Sequence, residues 1–488
     1  MEYEYKNLLK QTKIIATIGP SCLSVDTLTE MVKNGVDIFR LNASHFSSVE
    51  DLQETAGLLK SVREKIDIPF GVFLDLQGPK IRLGKIKNNA AELVTGQTFK
   101  LTADKKLLGD EREAGVTHPK VIKDLQIGEK VYINDGMIQM VVESHTDTEA
   151  TCKVLQGGLI SNHKGVNLPH TTMSVSVLAE KDKVFLEHVH ELNIDYIALS
   201  FVSSPEDITM TRDILKSLGH PIPIIAKIER ETAVQNIIEI IQTTDIVMVA
   251  RGDLGVEIGI ERVPQIQKMI LQEATKYIKP VIVATQMLES MTTGLTATRA
   301  EVSDVANAIY DHCDTVMLSG ETAVGVDPVN AIRTMRNICI ESDKQLAEIK
   351  RLKRSQAKQI FESKSMATSF CKAADQIADE NLADAILTFT SSGSTPLIAS
   401  KLNPSIPIIA CADSEIVLNR LNFLRAVIPV LMPIPFSDIQ GWSKMIEVAV
   451  ELNKELGLLR KGDRVVVTAG IPIGLPGGTN SIRMITIE

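Results

Sequence analysis

The sequence predicts an α/β protein: a closed (β/α)8 barrel, a small β-barrel lid inserted into it, and a C-terminal α/β open sheet. Three observations carry that expectation. Eight short runs rich in Val, Ile and Leu recur between amphipathic segments, and near-continuous apolar runs mark parallel strands buried on both faces. One gap between them, 77–176, is too long for a single helix and changes to alternating patterns. After about residue 347 a charged stretch leads into a second alternation of strands and helices.

The barrel runs are KIIATIG (13–19), IFRLN (38–42), FGVFLDL (70–76), YIALSFV (196–202), IPIIAKIE (222–229), DIVMVARG (245–252), PVIVATQ (280–286) and DTVMLSG (314–320). Segments such as VDTLTEMVKNG and ITMTRDILKSLG supply the helices between them, and eight such units close a barrel. The insertion falls between strands three and four, where KVYINDGMIQMVVES carries a hairpin dipeptide, Asp135-Gly136. The C-terminal strands are expected at 385–390, 406–412, 427–432, 463–470 and 481–487. The expected division is barrel at 1–76 and 177–347, lid at 77–176 and C-terminal domain at 348–488.

A chain of 488 residues exceeds what one core supports. Its net charge of −9 argues against a general nucleic-acid or anionic-membrane binder. The six cysteines are scattered without a CxxC pair, as expected in a reducing, cytoplasmic setting. The N-terminal MEYEYKNLLK lacks the form of a secretion signal, and no apolar run is long enough to span a membrane.

Polar residues gather where the barrel strands end, the rim at which such barrels place their chemistry. Arg40, Asn42 and Ser44 close strand two, Asp75 strand three, Lys227 and Glu229 strand five, and Arg251, Gly252 and Asp253 strand six. Thr285 closes strand seven, and strand eight runs into Ser319 and Glu321. Lys227 and Glu229 are two apart and so share a strand face. A structural ion pair would explain them alone; polar groups at six strand ends point to a site. Glu229 and Asp253 are hard oxygen donors suited to Mg2+ or Mn2+. Lys227 can stabilise a transferring phosphoryl group or an enolate. Arg40 and Arg82 offer bidentate donors to phosphate.

Other features have plainer readings. Thr298 and Glu301 form a capping box, His188 and His190 belong on a solvated helix, and Trp442 is a packing residue. The segment FTSSGSTP (389–396) follows a strand and precedes a helix pattern, and such small hydroxyl residues either cradle a phosphate or simply connect.

The motifs IATIGP (15–20), FRLNASH (39–45), DLQGPKIR (75–82), KGVNLP (164–169), AKIE (226–229), VARGDLGVE (249–257), ATQMLESM (284–291), TRAEVSDVAN (298–307) and MLSGETA (317–323) together resemble the pyruvate kinase family along nearly the whole chain. The resemblance implies transfer of the phosphoryl group of phosphoenolpyruvate to ADP. It further implies that Arg40 binds substrate phosphate, that Glu229 and Asp253 hold the divalent metal, and that Lys227 stabilises the transition state. Gly252, Asp253, Thr285, Ser319 and Glu321 would contact substrate, Thr285 close to where the enolate is protonated. Arg82, His45 and, from the lid, Lys164 would face the nucleotide.

The sequence also departs from the family pattern. Many members bind K+ near positions matching Asn42, Ser44 and Asp75; here Leu76 and Lys80 resemble the subgroup in which a lysine supplies that charge, so no K+ requirement is expected. An aspartate common at the lid hinge is Ser174 here, and the proline usual before the threonine of TATRAE is missing. By the same resemblance Thr390, Ser391, Ser392, Gly393, Ser394 and Thr395 become candidates for a phosphorylated effector, with the loop 470–480 closing over it. The resemblance also implies a homotetramer, and because the chain stops soon after the last expected strand, the extra phosphohistidine-type domain of some members is not expected. Two rival readings are a barrel lyase using Lys227 as a Schiff base and a catalytically dead metabolite sensor.

Overall fold

The computed structural model describes residues 10–169, 171, 175–352, 361–471 and 478–488. Its centre is a closed barrel of eight parallel strands: Lys13–Thr17, Ile38–Asn42, Gly71–Asp75, Tyr196–Leu199, Ile224–Ile228, Ile246–Ala250, Val281–Ala284 and Thr315–Leu318. Each strand pairs with its sequence neighbours, and the first closes on the eighth through Ile14 opposite Val316. These strands are buried throughout except at Arg40 and Asn42, which is why they appear as unbroken apolar runs in the sequence.

Alternation along each strand sends one set of side chains inward. Ile15, Ile38, Phe73, Tyr196, Ala198, Ile225, Ile246, Met248, Ile282, Ala284 and Met317 fill the barrel interior as one apolar cluster. The intervening residues, such as Ile14, Phe39, Leu74, Ile224 and Val316, pack outward on the helices. One more ring joins the interior cluster from far along the chain: Phe423 lies 4.3 Å from Tyr196 and 6.1 Å from Phe73, ring centre to ring centre.

The insertion folds round its own core of Leu83, Phe99, Val131, Met140, Cys152, Ile160 and their neighbours. It holds a six-stranded sheet and a two-stranded ribbon. The expected hairpin is there, Lys130–Ile133 pairing with Ile138–His145. Asn134, Asp135 and Gly136 all take positive φ at its tip, the conformation that Asn, Asp and Gly tolerate best.

The C-terminal sheet has five strands, Ala385–Thr390, Ile408–Ala412, Val427–Leu431, Arg464–Gly470 and Thr479–Thr486. Their spatial order is third, second, first, fourth, fifth, and only the last runs antiparallel. Leu387, Cys411 and Val467 face the helix Trp442–Glu455 on one side; Ile386, Ala410 and Val466 face the helices Met366–Glu380 and Ser394–Lys401 on the other. Trp442 packs edge-on against Phe389 at 5.9 Å, a packing residue as its sequence context suggested.

Buried charges tie this sheet to the barrel. Lys401 and Asp314, both 1 % exposed, pair at 2.8 Å. Asp343 accepts hydrogen bonds from the backbone N–H groups of Gln11 and Thr12 and from Arg425 Nη2, each at 2.8 Å. The six cysteines are buried and unpaired. Among the described residues no helix is long and apolar enough to cross a membrane.

Candidate active site

The inward rows that are apolar in the barrel interior end in polar groups at its C-terminal rim. Arg40 and Asp75 lead the assembly. Arg40 Nη2 lies 2.6 Å from Asp75 Oδ2, and Arg40 Nε donates to the same oxygen at 2.8 Å, a two-pronged contact that fixes the guanidinium plane. Asp75 Oδ1 sits 3.0 Å from Lys227 Nζ, whose remaining partners are Glu229 Oε1 at 2.8 Å and Ser200 Oγ at 2.7 Å. The ammonium therefore has three acceptors for its three protons. The Lys227–Glu229 ion pair expected from simple strand chemistry exists, and it lies inside the polar cluster that the functional reading required.

Burial would drive the proton off Lys227, but Asp75 and Glu229 outweigh it and hold the ammonium well above its ordinary range. Burial pulls Asp75 up; Lys227 and Arg40 prevail and keep it ionised below its usual range. Glu229 goes the other way, pushed up by burial and by the charge of Asp253 against the pull of Lys227.

That opposition bears on the metal. Glu229 Oε2 accepts a hydrogen bond from Phe201 N at 2.8 Å, yet each carboxylate oxygen keeps a further lone pair. Asp253 stands in the first turn of the helix Arg251–Ile258, half-buried, with no hydrogen-bond partner among the described residues. A carboxylate pushed up in part by its neighbour's charge, with that neighbour unpartnered among the described residues, fits a divalent cation that takes one or two protein carboxylates. Among the described residues no group of three or more His, Cys, Asp and Glu side chains could hold a metal.

Thr285 is held in a rarely occupied conformation, φ +70°, followed by Gln286 at +54°. Arg251 maintains it: Nη2 donates to the carbonyls of Thr285 (2.7 Å) and Gln286 (3.1 Å), while Nη1 meets Asp304 at 2.7 Å. Thr285 Oγ1 accepts from Gly252 N at 2.9 Å, and among the described residues its own proton has no acceptor. A Cβ on Gly252 would stand 3.4 Å from that hydroxyl, in van der Waals contact with it.

The sequence left barrel strands one and four without a polar end; the structure supplies both. Thr17 Oγ1 accepts from Arg40 Nη1 (3.2 Å) and donates to Leu318 O (2.9 Å). Ser200 receives Lys227 and passes its own proton to Leu76 O at 2.8 Å. Short hydroxyl residues inside apolar runs give no signal of their own; the period of two that aligns them with Arg40 and Lys227 was the available clue.

Glu321 is fully buried, its oxygens accepting from the backbone N–H groups of Leu288 (3.0 Å) and Ser319 (2.7 Å), so it ties two rim loops together. Ser319 itself remains at the rim, half-buried. Near strand two, Asn42 Oδ1 accepts from Ser44 N at 3.2 Å and its amide meets His45 Nε2 at 3.1 Å. Burial and Arg40 lower the His45 pKa.

Lys80 joins neither Asp75 nor any other ion pair among the described residues; its Cε lies 3.9 Å from where a Cβ of Gly165 would stand. Arg82 bridges to Gly165 and donates to His163 O at 3.0 Å. Lys80, Arg82 and Lys164 thus lie on the two facing segments by which the chain enters and leaves the insertion. Ser174 and residues 472–477 of the 470–480 loop lie outside the described residues.

In the C-terminal domain Gly393 takes φ +84° ahead of the helix Ser394–Lys401. Thr390 and Thr395 are buried, the first accepting from Gly393 N (2.8 Å), the second bonded to Thr479 Oγ1 (2.6 Å). Ser391 and Ser392 are exposed and Ser394 half-buried, with Ser391 donating to Asp413 at 3.2 Å. Thr298 and Glu301 form the expected reciprocal cap. His188 and His190 lie in a turn instead of a helix, and His190 stacks on His220.

Two family models match the chain: the pyruvate kinase barrel domain over residues 9–332 and the pyruvate kinase alpha/beta domain over 368–485. The chain belongs to the pyruvate kinase family. Pyruvate kinase of Thermotoga maritima is 38 % identical across 98 % of this chain and all of its own length. That of Clostridium acetobutylicum is also 38 % identical over 98 % of this chain and 100 % of its own. The Geobacillus stearothermophilus pyruvate kinase, again 38 % identical, is longer, 81 % of it being covered. Among solved structures, a pyruvate kinase from Cryptosporidium parvum superposes with a TM-score of 0.92 at 31 % identity, covering 100 % of this chain and 98 % of its own. Membership makes this chain a phosphotransferase built on a barrel, a second sheet domain and a C-terminal α/β domain.

Proposed function

We propose that this chain transfers the phosphoryl group of phosphoenolpyruvate to ADP, yielding ATP and pyruvate, as the last step of glycolysis in the cytoplasm. The observation that carries the reading is Lys227 held protonated between Asp75 and Glu229, beside Arg40, at one rim of a closed barrel. Phosphoryl transfer passes through a loose, anionic transition state, so catalysis rests on positioned positive charge. Arg40 binds the substrate phosphate, its plane already set by Asp75. Lys227 stabilises the charge that develops as the bond to the bridging oxygen loosens. Glu229 and Asp253 would hold Mg2+ or Mn2+, which supplies Lewis-acid charge to substrate oxygens. Gly252 lets substrate approach the backbone, and Thr285, whose hydroxyl proton has no acceptor among the described residues, stands ready to place a proton on the enolate carbon. Ser319 lines the rim, and Arg82, Lys164 and His45 meet the nucleotide. The lid covering 77–176 excludes water that would otherwise take the phosphoryl group.

Three finer points belong to the same proposal. Lys80, unclaimed by any carboxylate among the described residues, supplies the fixed charge that K+ supplies elsewhere, so no K+ is required. The exposed hydroxyls of Ser391 and Ser392 and the half-buried one of Ser394, with the backbone of Gly393 and the supports Thr390 and Thr395, bind a phosphorylated effector. The working molecule is a homotetramer.

A coupled assay following pyruvate from phosphoenolpyruvate and ADP tests the whole. Absence of product sinks the function, and a rate near zero with tetramethylammonium in place of K+ refutes the role of Lys80. An unchanged phosphoenolpyruvate affinity across sugar phosphates and AMP removes the effector site. The Schiff-base lyase is disfavoured because its lysine must lose the proton that Asp75 and Glu229 keep on Lys227; borohydride with pyruvate should leave Lys227 unlabelled.

A further inference from the structure

The lid joins the barrel through two chain segments, and a buried charged side chain holds each. Asp182, fully buried near the start of the helix Glu180–Leu186, accepts from the backbone N–H groups of Gln77 and Gly78, both at 2.9 Å, on the segment running into the lid. Arg230, 3 % exposed, holds the segment running out. Its Nη2 donates to the carbonyls of Thr171 (2.8 Å) and Leu168 (3.1 Å), and its Nη1 to Ser203 Oγ (3.0 Å) on the loop after barrel strand four. Glu257, buried on the helix that carries Asp253, stands with Oε2 3.9 Å from Arg230 Nε and is hydrogen-bonded to Asn167 of the same lid segment; burial pushes its carboxyl up to about 7 against the pull of Arg230. The lid's hairpin tip reaches that helix as well: a Cβ at Gly136 would stand 3.7 Å from Val256.

We infer that Arg230 is a positioning residue: its guanidinium, paired with Glu257, fixes where the lid sits over the rim and thereby places the nucleotide-side cations Arg82 and Lys164. A surface arginine would be worth little. A buried one spreading three hydrogen bonds over two lid carbonyls and a barrel hydroxyl fixes the relative position of two bodies, because the planar fork cannot follow one without the other. The phosphoenolpyruvate groups Arg40 and Lys227 sit on barrel strands and do not depend on this contact. Loss of Arg230 should therefore fall on one substrate and spare the other. The inference rests on the nucleotide-side assignment proposed above.

The test uses the full chain. Arg230→Met alone strands Glu257, so Arg230→Met with Glu257→Gln is the main variant, and Arg230→Lys is the conservative one, a point charge unable to span all three acceptors. The double variant should keep a cooperative unfolding transition and raise KM for ADP about tenfold or more, the factor one charge-assisted hydrogen bond supplies. KM for phosphoenolpyruvate should stay within about twofold. Amide hydrogen exchange in 163–169 should quicken by a similar factor relative to barrel strand two. Arg230→Lys should recover only part of both effects. Equal changes in the two KM values, or unaltered exchange in the lid segment, overturn the inference. A wild-type chain without phosphotransfer would end the proposed function, while the exchange result would still judge the latch.

Discussion

At the scale of single residues, Lys227 is the group on which most depends. Replacing it by Met removes the charge aimed at the reacting phosphoryl group, and kcat should fall by about 10² to 10³. Affinity for phosphoenolpyruvate should survive, since Arg40 keeps its contact with Asp75. A large loss of affinity with kcat intact would contradict the role given to this side chain. His312 makes a second case, far from the rim. Burial, reinforced by the nearby charges of Arg425, Lys401 and Lys350, lowers its pKa to about 4. Its folded value lies below its unfolded one, so protonation favours the unfolded chain. The stability it protects is whole above about pH 6.5 and is lost as the pH falls towards 4. Between pH 7 and pH 5 the wild type should therefore lose about 2 kcal/mol more than His312→Asn, measured by denaturant unfolding. Equal losses in the two proteins would show that this imidazole is indifferent to protonation.

At the scale of elements, the turn after barrel strand seven depends on Arg251. Arg251→Lys keeps a charge but cannot reach Asp304 and the carbonyls of Thr285 and Gln286 together, so the left-handed pair should relax and carry the Thr285 hydroxyl with it. We expect kcat to drop about ten- to a hundredfold, with the unfolding transition little changed. The elements also show how far the sequence alone could be followed. Strands such as Ile224–Ile228 were legible because burial on both faces leaves an unbroken apolar run, and the insertion because its period changed from that of helices to two. Lys227, Glu229 and Asp253 stood out as charges in apolar surroundings. Ser200 and Thr17 did not, because a hydroxyl residue in a strand is ordinary until its partner is seen. Glu321 was ambiguous for the opposite reason: a carboxylate at a strand end has the same spacing whether it points into the rim or back into the loops. Arg230 followed Glu229 so closely that its opposite direction, towards the lid, was hidden.

At the scale of the whole molecule, the barrel and the C-terminal sheet share buried charges. Asp314→Asn would leave Lys401 ionised and unpaired inside the protein, and should cost about 3–5 kcal/mol of stability by denaturant unfolding. Asp314→Asn combined with Lys401→Met should recover most of it, the amide oxygen still accepting from Val281 N. A single change costing under about 1 kcal/mol would show the pair to be dispensable. Phe423 has a further consequence. Its ring belongs to the tail of the chain yet completes the packing inside the barrel beside Phe73 and Tyr196. The boundary near residue 347 can be drawn along the sequence but not through the apolar interior. Halves exchanged between relatives at that point should therefore fail unless the stopper and the socket are inherited together.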